Sequence, residues 1–250
     1  MTRNQKFRIA VVALILISNA MIARVTSQNL PASDQIGTAA GNVEIHFIGH
    51  GSLMFKLKDK ILYVDPVKSS GSYDNLPGAD IILVTHEHSD HLDIDLIKHL
   101  RKTGTMIFCN GAASPKVSGS VAMKAGDHQT IGNIGVEAVA AYNIVNERAP
   151  GQPFHPRGSG VGYIIEFGGK RIYVAGDTEN TPEMKALKNI DIAFLPMNLP
   201  YTMTPAMVAD AAKAFKPAIL YPYHFGDTNT DEIVRLLQGS GIEVRIRSLK

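Results

Sequence analysis

The sequence predicts an α/β protein built as an αββα sandwich: two mixed sheets packed face to face, with helices outside. Three observations carry this. Short apolar runs of strand length recur from Asn42 onward, separated by Gly, Pro, Asp and Lys. Each half of this region opens with consecutive strands and goes on to alternate strands with helical segments. No linker divides residues 42–250, a length that suits one large domain, and two such halves fit a two-sheet sandwich better than one doubly wound sheet.

The elements follow in order. "VEIHFIG", "SLMFKLK" and "KILYVDP" read as consecutive strands with alternating polarity. "ADIILVT" is apolar on both faces and therefore central in its sheet. "DIDLIKHLRKTG" has helical spacing, with Ile94, Ile97 and Leu100 on one face and Gly104 expected to end it. "TMIFC", "VAMKAG", "HQTIGN" and "GVEAVAAYN" continue as strands. Beyond the Pro/Gly-rich loop "APGQPFHPRGSG", a Gly-Gly turn joins the two strands of "VGYIIEFGGKRIYVAGD". Strands "DIAFLPM", "AILYPYHFG" and "IEVRIRS" then alternate with helices: "TPEMKALKN", "TPAMVADAAKAFKP" with Thr204 as its cap and Pro205 next, and "TDEIVRLLQGSG".

Composition narrows the class. The 250 residues are 45% hydrophobic and 19% charged, an ordinary globular balance. A formal charge of +2, with the positive excess at the two ends, argues against a nucleic-acid partner. The lone Cys109 follows the apolar run "TMIF" and reads as a buried, inert thiol. At the N-terminus, basic "MTRNQKFR", apolar "IAVVALILISNAMIA" and "RVTSQ" have the layout of a signal peptide over residues 1–27, cut near Ser27–Gln28. The expectation is an exported protein, periplasmic or secreted, with no stable membrane span after cleavage; an uncleaved N-terminal anchor is the alternative. Residues 28–41 are polar and Gly/Ala-rich and read as a linker. Nothing in the sequence signals an oligomeric state.

The chemistry concentrates where the central strand ends. In "THEHSDHLD", His86, His88, Asp90 and His91 offer four potential ligands within six positions. In extended chain, side chains 86 and 88 point to one side, so both imidazoles can share one metal. Asp90 and His91 follow as the chain turns, and can face a second. Nitrogen and carboxylate donors without thiolate favour zinc and admit manganese or iron. Two such ions side by side suit hydrolysis, because a bridging water ionises near neutral pH. Asp177 ends the apolar strand "RIYVAG" and His224 ends "AILYPY". A buried carboxylate there is costly unless paired or metal-bound.

"THEHSDHLD" resembles the HxHxDH signature of the metallo-β-lactamase superfamily, whose fold is the αββα sandwich read above. "IGHGSLMFKLKDKILYVDP" is similar to the opening hairpins of its lactonase-like branch, which includes ascorbate-6-phosphate lactonase and the phosphatidylethanolamine-hydrolysing phospholipase D. "YIIEFGGKRIYVAGDT" and "ILYPYHFGDT" resemble the strands carrying the metal-bridging aspartate and the final histidine. The resemblance covers about Asn42 to Arg247. It implies two divalent ions, with His86 and His88 at one, Asp90 and His91 at the other, Asp177 bridging both and His224 completing the second. It implies a metal-dependent hydrolase that opens a lactone, ester or phosphoester of a small molecule with a metal-bridging hydroxide. His88, Asp90 and Asp177 are then the catalytic centre, with Asp90 orienting the hydroxide. The alternatives are a phosphodiesterase acting on lipid or nucleotide, and an exported metal-binding protein without catalysis.

The chain departs from that pattern at one ligand. The histidine that commonly ends a strand between the signature and the bridging aspartate is replaced by Asn143, in "VEAVAAYN". His155, in "FHPRGSG", is expected to take its place or to contact substrate, and Asn143 to be a weak oxygen ligand or a substrate contact. His99, beside Lys98 and Arg101, and His128, in "AGDHQT", read as solvated. Asp65 ends the strand "ILYVDP", where it can accept a proton from a ligating imidazole. His50, in "IGHGS", can line the pocket or orient ligands, and Tyr201 and Thr202, in "LPYTMTP", can contact substrate. Arg148 and Arg157 lie in the loop where an anionic substrate group can be held. The intact mass of the exported protein should correspond to a chain beginning at Gln28; a mass matching all 250 residues would rule the cleavage out.

Overall fold

The computed structural model describes residues 31–250; the expected signal peptide, 1–27, lies outside the described residues. The first of its two large sheets contains β1 (Ser33–Thr38), β2 (Gly41–Gly49), β3 (Ser52–Leu57), β4 (Lys60–Val64), β5 (Ala79–Val84), β6 (Arg101–Cys109) and β7 (Val121–Ala122), in that spatial order. β1 to β4 form an antiparallel meander, and β4 to β7 run parallel. The chain continues through β8 (His128–Ile131) and β9 (Ile134–Ala141), and then a small hairpin of β10 (Glu147–Ala149) and β11 (Gln152–Pro153). β12 (Gly160–Phe167), β13 (Lys170–Val174), β14 (Ile192–Pro196), β15 (Ile219–Tyr223) and β16 (Glu243–Val244) complete the second sheet, in the order β16-β15-β14-β13-β12-β9-β8. There too the antiparallel strands come first, and β13 to β16 run parallel. The helices are α1 (Ile94–Leu100), α2 (Pro182–Lys185), α3 (Pro205–Phe215) and α4 (Asp231–Leu236). Among the described residues no helix is long and apolar enough to cross a membrane.

The two mixed sheets expected from sequence are present, and strand periodicity shows how they pack. On β5, Ile81 and Leu83 enter the core shared with Phe55, Tyr163, Val174 and Phe194 of both sheets. Ile82 and Val84 point the other way, into a second cluster with Leu96, Ile97 and Leu100 of α1. Cys109 is buried, and burial pushes its thiol up to about 12, as an inert core sulfur requires.

Two sequence expectations are corrected. The linker read over residues 28–41 is in part a strand: β1 pairs antiparallel with β2 from Ser33↔His46 to Thr38↔Gly41. Its polar composition hid it, because an edge strand needs no continuous apolar face. Its anchor is Asp34, whose carboxylate accepts from the Tyr221 hydroxyl, from Arg245 Nη1 at 3.3 Å and from Arg247 Nη2 at 2.7 Å. Gly104 does not end α1. The helix stops at Leu100 and the chain enters β6 at once, with Gly104 at φ +87° inside a register shift. Asp93 caps the helix as its position suggests, accepting from Leu96 N at 2.9 Å.

Burial alone would raise the Asp34 pKa, but hydrogen bonds from Tyr221 and Arg247, with the charges of Arg247 and Arg245, hold it below its ordinary value. A group depressed in this way stabilises the fold above its unfolded pKa of about 3.9 and loses that contribution as pH falls through the folded value. Asp34→Asn should therefore cost about 1–3 kcal/mol of unfolding free energy at pH 7. The difference from the parent chain should shrink on acidification below about pH 4. Denaturant titrations at the two pH values measure both.

Candidate metal centre

Parallel strands place polar residues at their carboxyl ends, where the backbone leaves the sheet and side chains can converge. Here both sheets do so on one edge. Asp65 follows β4, the run from His86 to His91 follows β5, Asp177 lies just past β13, and His224 follows β15. His50 follows the antiparallel strand β2, and His155 comes from the loop between β11 and β12. His50, Asp65 and His224 turn the chain there with left-handed backbone, at φ 49°, 44° and 47°. That conformation costs a residue with a Cβ about 1–2 kcal/mol, and it gathers at functional sites.

Asp177 is the hub. Its carboxylate oxygens lie 3.3 Å from His91 Nε2, 3.4 Å from His155 Nε2, 3.5 Å from His224 Nε2 and 3.8 Å from His86 Nε2. Asp90 Oδ2 lies 3.4 Å from His50 Nε2 and 3.5 Å from His224 Nε2. His86 Nε2 and His88 Nδ1 are 3.1 Å apart. Candidate ligand atoms form three overlapping groups: His86, His88 and His155; His86, His91 and Asp177; and His50, Asp90, His91 and His224. Buried polar atoms are normally paired. Yet His91 Nε2, His155 Nε2, His224 Nε2 and Asp177 Oδ1 are buried without a hydrogen-bond partner. A divalent cation is the partner this donor set fits.

The surroundings prepare these groups. Asp65 Oδ2 accepts from His91 Nδ1 at 2.8 Å, and the same carboxylate accepts from Thr85 N and Thr85 Oγ1, each at 2.7 Å. This leaves His91 Nε2 as the free nitrogen facing Asp177. Gly51 makes room for that imidazole: a Cβ there would meet His91 Cε1 at 2.9 Å. Burial and the neighbouring His91 push His86 well below its ordinary pKa, and burial pushes His155 down to about 4, so both are neutral at pH 7 with lone pairs available. Burial alone would raise Asp177, but His224 and His91 outweigh it and hold the carboxyl well below its ordinary value. Burial likewise opposes the ionised form of Asp90, but the nearby His224, the hydrogen bond from His50 and the charge of His91 outweigh it and hold the carboxyl below its ordinary value.

Beside this cluster opens a cavity of about 600 Å³ whose wall includes Asp90, Arg148, Phe154, Asn198 and Tyr201. Tyr201 packs edge-on against Phe154, with ring centroids 5.2 Å apart. Arg148 lies over the Phe154 ring, its Cζ 5.6 Å from the centroid, and donates to the Phe154 carbonyl at 3.0 Å.

The structure thus brings together His86, His88, Asp90, His91, His155, Asp177 and His224, with Asp65 behind His91 and His50 beside Asp90. The sequence reading is corrected at three positions. Asn143 is not among the grouped ligand atoms; its Oδ1 accepts from His155 Nδ1 at 2.8 Å and from His155 N at 2.7 Å. Arg157 pairs with Glu183 and lies over Tyr142, not in the cavity wall. Thr202 is buried and accepts from Asn198 N at 2.9 Å, so it bonds its own loop. Sequence reading missed Thr85 and Glu179, both fully buried. The signal for each was a polar residue within two positions of a strand-end candidate ligand, in "VTH" and "GDTE".

Comparison with known proteins agrees with this fold. The model for the beta-lactamase superfamily domain matches residues 44–224. A UPF0173 metal-dependent hydrolase from Thermococcus kodakarensis is 33% identical, over 73% of this chain and 84% of its own. Another, from Anaeromyxobacter dehalogenans, is 30% identical, over 86% and 87%. A crystal structure from Parabacteroides distasonis, of a protein assigned as a metal-dependent hydrolase, superposes with a TM-score of 0.84 at 48% identity, over 88% of this chain and 99% of that one. A metallo hydrolase from Ignicoccus hospitalis shares the fold, with a TM-score of 0.67 at 22% identity, over 83% of this chain and 95% of that one. The chain belongs to the beta-lactamase superfamily and, within it, to the UPF0173 metal-dependent hydrolases.

Asp65→Asn turns an amide NH₂ toward groups that now donate to a carboxylate. It should weaken metal retention about 10–100-fold, measured as bound metal after challenge with graded chelators.

Proposed function

We propose that this protein hydrolyses small esters, lactones or phosphoesters that carry an anionic group, using two divalent metal ions, with zinc favoured by the donor set. The observation that carries the reading is the hub itself: one buried carboxylate with four imidazole nitrogens within 3.8 Å, several of these atoms lacking any hydrogen-bond partner. His86, His88 and His155 would hold one ion, and Asp90, His91 and His224 the other. Asp177 would lie between them, and His50 beside the second. When bound, such ions lower the pKa of water and polarise a carbonyl or phosphoryl oxygen.

The chain's own groups supply the rest. Asp90, with a side chain 47% exposed, is the more exposed of the two acids that line the cavity. Its Oδ2, oriented by His50 and His224, accepts a hydrogen bond and then the proton from the attacking water. Water adds across the C–O or P–O bond, and the proton passes to the leaving oxygen. Phe154 and Tyr201 offer a flat apolar wall to the substrate body. Arg148, held in place by the Phe154 ring and carbonyl, binds its carboxylate or phosphate. The apolar N-terminal stretch supports export as the setting, within the periplasm or outside the cell.

Metal analysis of the purified protein with a panel of lactones, chromogenic esters and phosphodiesters tests this. Asp90→Asn should lower kcat by about 10²–10⁴-fold. Arg148→Ala should raise KM about 10–100-fold for anionic members of the panel and leave neutral ones nearly unchanged. Tight metal uptake with no hydrolysis of any member would overturn the reading in favour of a metal-binding protein.

A further inference from the structure

Glu179 lies two residues past Asp177, is fully buried, and is satisfied by N–H donors alone. Its Oε1 accepts from Asn146 N at 2.7 Å and Asn143 Nδ2 at 3.2 Å. Its Oε2 accepts from Val145 N at 2.8 Å and Ile144 N at 2.9 Å. Three successive backbone amides converging on one group form a nest, and only an all-acceptor anion fills it. Without the carboxylate, the three successive amides would lose the one acceptor they share.

The consequence runs through Asn143. Its Nδ2 donates both to Glu179 and to the Tyr201 carbonyl, the latter at 2.9 Å, so the amide can be turned only one way. Its Oδ1 must then face His155, where it accepts from the backbone N–H and from Nδ1. An imidazole whose Nδ1 is a donor has its lone pair on Nε2. In His155 that is the buried, unpartnered atom 3.4 Å from Asp177.

We infer that Glu179 is a positioning residue: by fixing the 143–146 loop and the Asn143 amide, it sets the tautomer and aim of His155 toward the first metal. This accounts for the asparagine found where the related enzymes are expected to carry a strand-end histidine. Asn143 holds the substitute ligand from behind, and Glu179 holds Asn143. The inference rests on the ligand set proposed above, and its test separates the two.

The parent protein, Glu179→Gln, Asn143→Ala, His155→Ala and the double variant Glu179→Gln/His155→Ala are loaded with zinc and challenged with graded chelators. Retained metal per chain is then measured, together with the thermal midpoint of each metal-free form. Glutamine is isosteric, but whichever way its amide turns, NH₂ meets two N–H donors. Glu179→Gln and Asn143→Ala should each loosen metal about 10–100-fold. Glu179→Gln should add nothing in the His155→Ala background, because the two act as one unit. Retention equal to the parent in both Glu179→Gln and Asn143→Ala, while His155→Ala loses metal, overturns the role of Glu179 and leaves the ligand set intact. So does an effect of Glu179→Gln that adds fully to that of His155→Ala and follows the thermal midpoint. If His155→Ala itself keeps its metal, the ligand set and this inference fall together. Should Glu179→Gln not fold, Asn143→Ala decides, since it leaves the three backbone amides their acceptor.

Discussion

A carboxylate stripped of water and surrounded by imidazoles is the constraint on which the rest of this molecule depends. Asp177 is buried to 4% exposure, and no lysine or arginine reaches it among the described residues. Desolvating an ionised acid costs several kcal/mol unless positive charge compensates it. Protonated imidazoles compensate in part, and a divalent cation does so more fully while also engaging the unpartnered ring nitrogens. The local sequence is therefore poor for stability by itself, and the two sheets exist in a form that holds it. The strained backbone at His50, Asp65 and His224 belongs to the same account: three left-handed residues persist because well-packed strands on either side over-determine them.

Rigidity is delivered in layers. Strand β5 carries His86 and His88 out of a doubly packed core, so the ligand-bearing turn inherits the order of the strand. Behind the imidazoles stand the groups that fix their tautomers. Asp65, itself pinned by Thr85, acts on His91, while Asn143, pinned by Glu179, acts on His155. The two arrangements are chemically alike but differ in charge. At His91, Asp177 and then the Asp65 carboxylate that touches the ring directly outweigh burial and favour positive charge. The Glu179 carboxylate is kept one amide away, and burial leaves His155 neutral. Two candidate ligands of the same residue type thus enter the cluster with different electrostatics.

The cavity shows the division of labour common to hydrolases of this architecture: fixed chemistry at the strand ends, with recognition left to loops. Phe154 and Tyr201 come from irregular segments and Arg148 from the small β10–β11 hairpin, and their mutual contacts make a preformed wall. The Asn143 amide ties that wall to the metal side by its bond to the Tyr201 carbonyl.

The sequence by itself determined the layer architecture, because strand and helix periods and the order of elements are local properties of the chain. It also pointed to the principal candidate ligands, because four such residues in six positions at the end of a buried strand have few other uses. Asp65 and His155 were legible for the same reason, as polar residues where apolar runs or rigid loops end. The edge strand β1 was not, since its stability comes from pairing with β2 and from Arg245 and Arg247, more than two hundred positions away. Only the tertiary structure decided that Asn143 stands behind His155, that Arg148 and not Arg157 faces the cavity, and that Glu179 organises a loop. Each of these is a choice among equally polar side chains, made by which atoms the folded backbone brings within hydrogen-bonding distance, and no spacing along the chain encodes that.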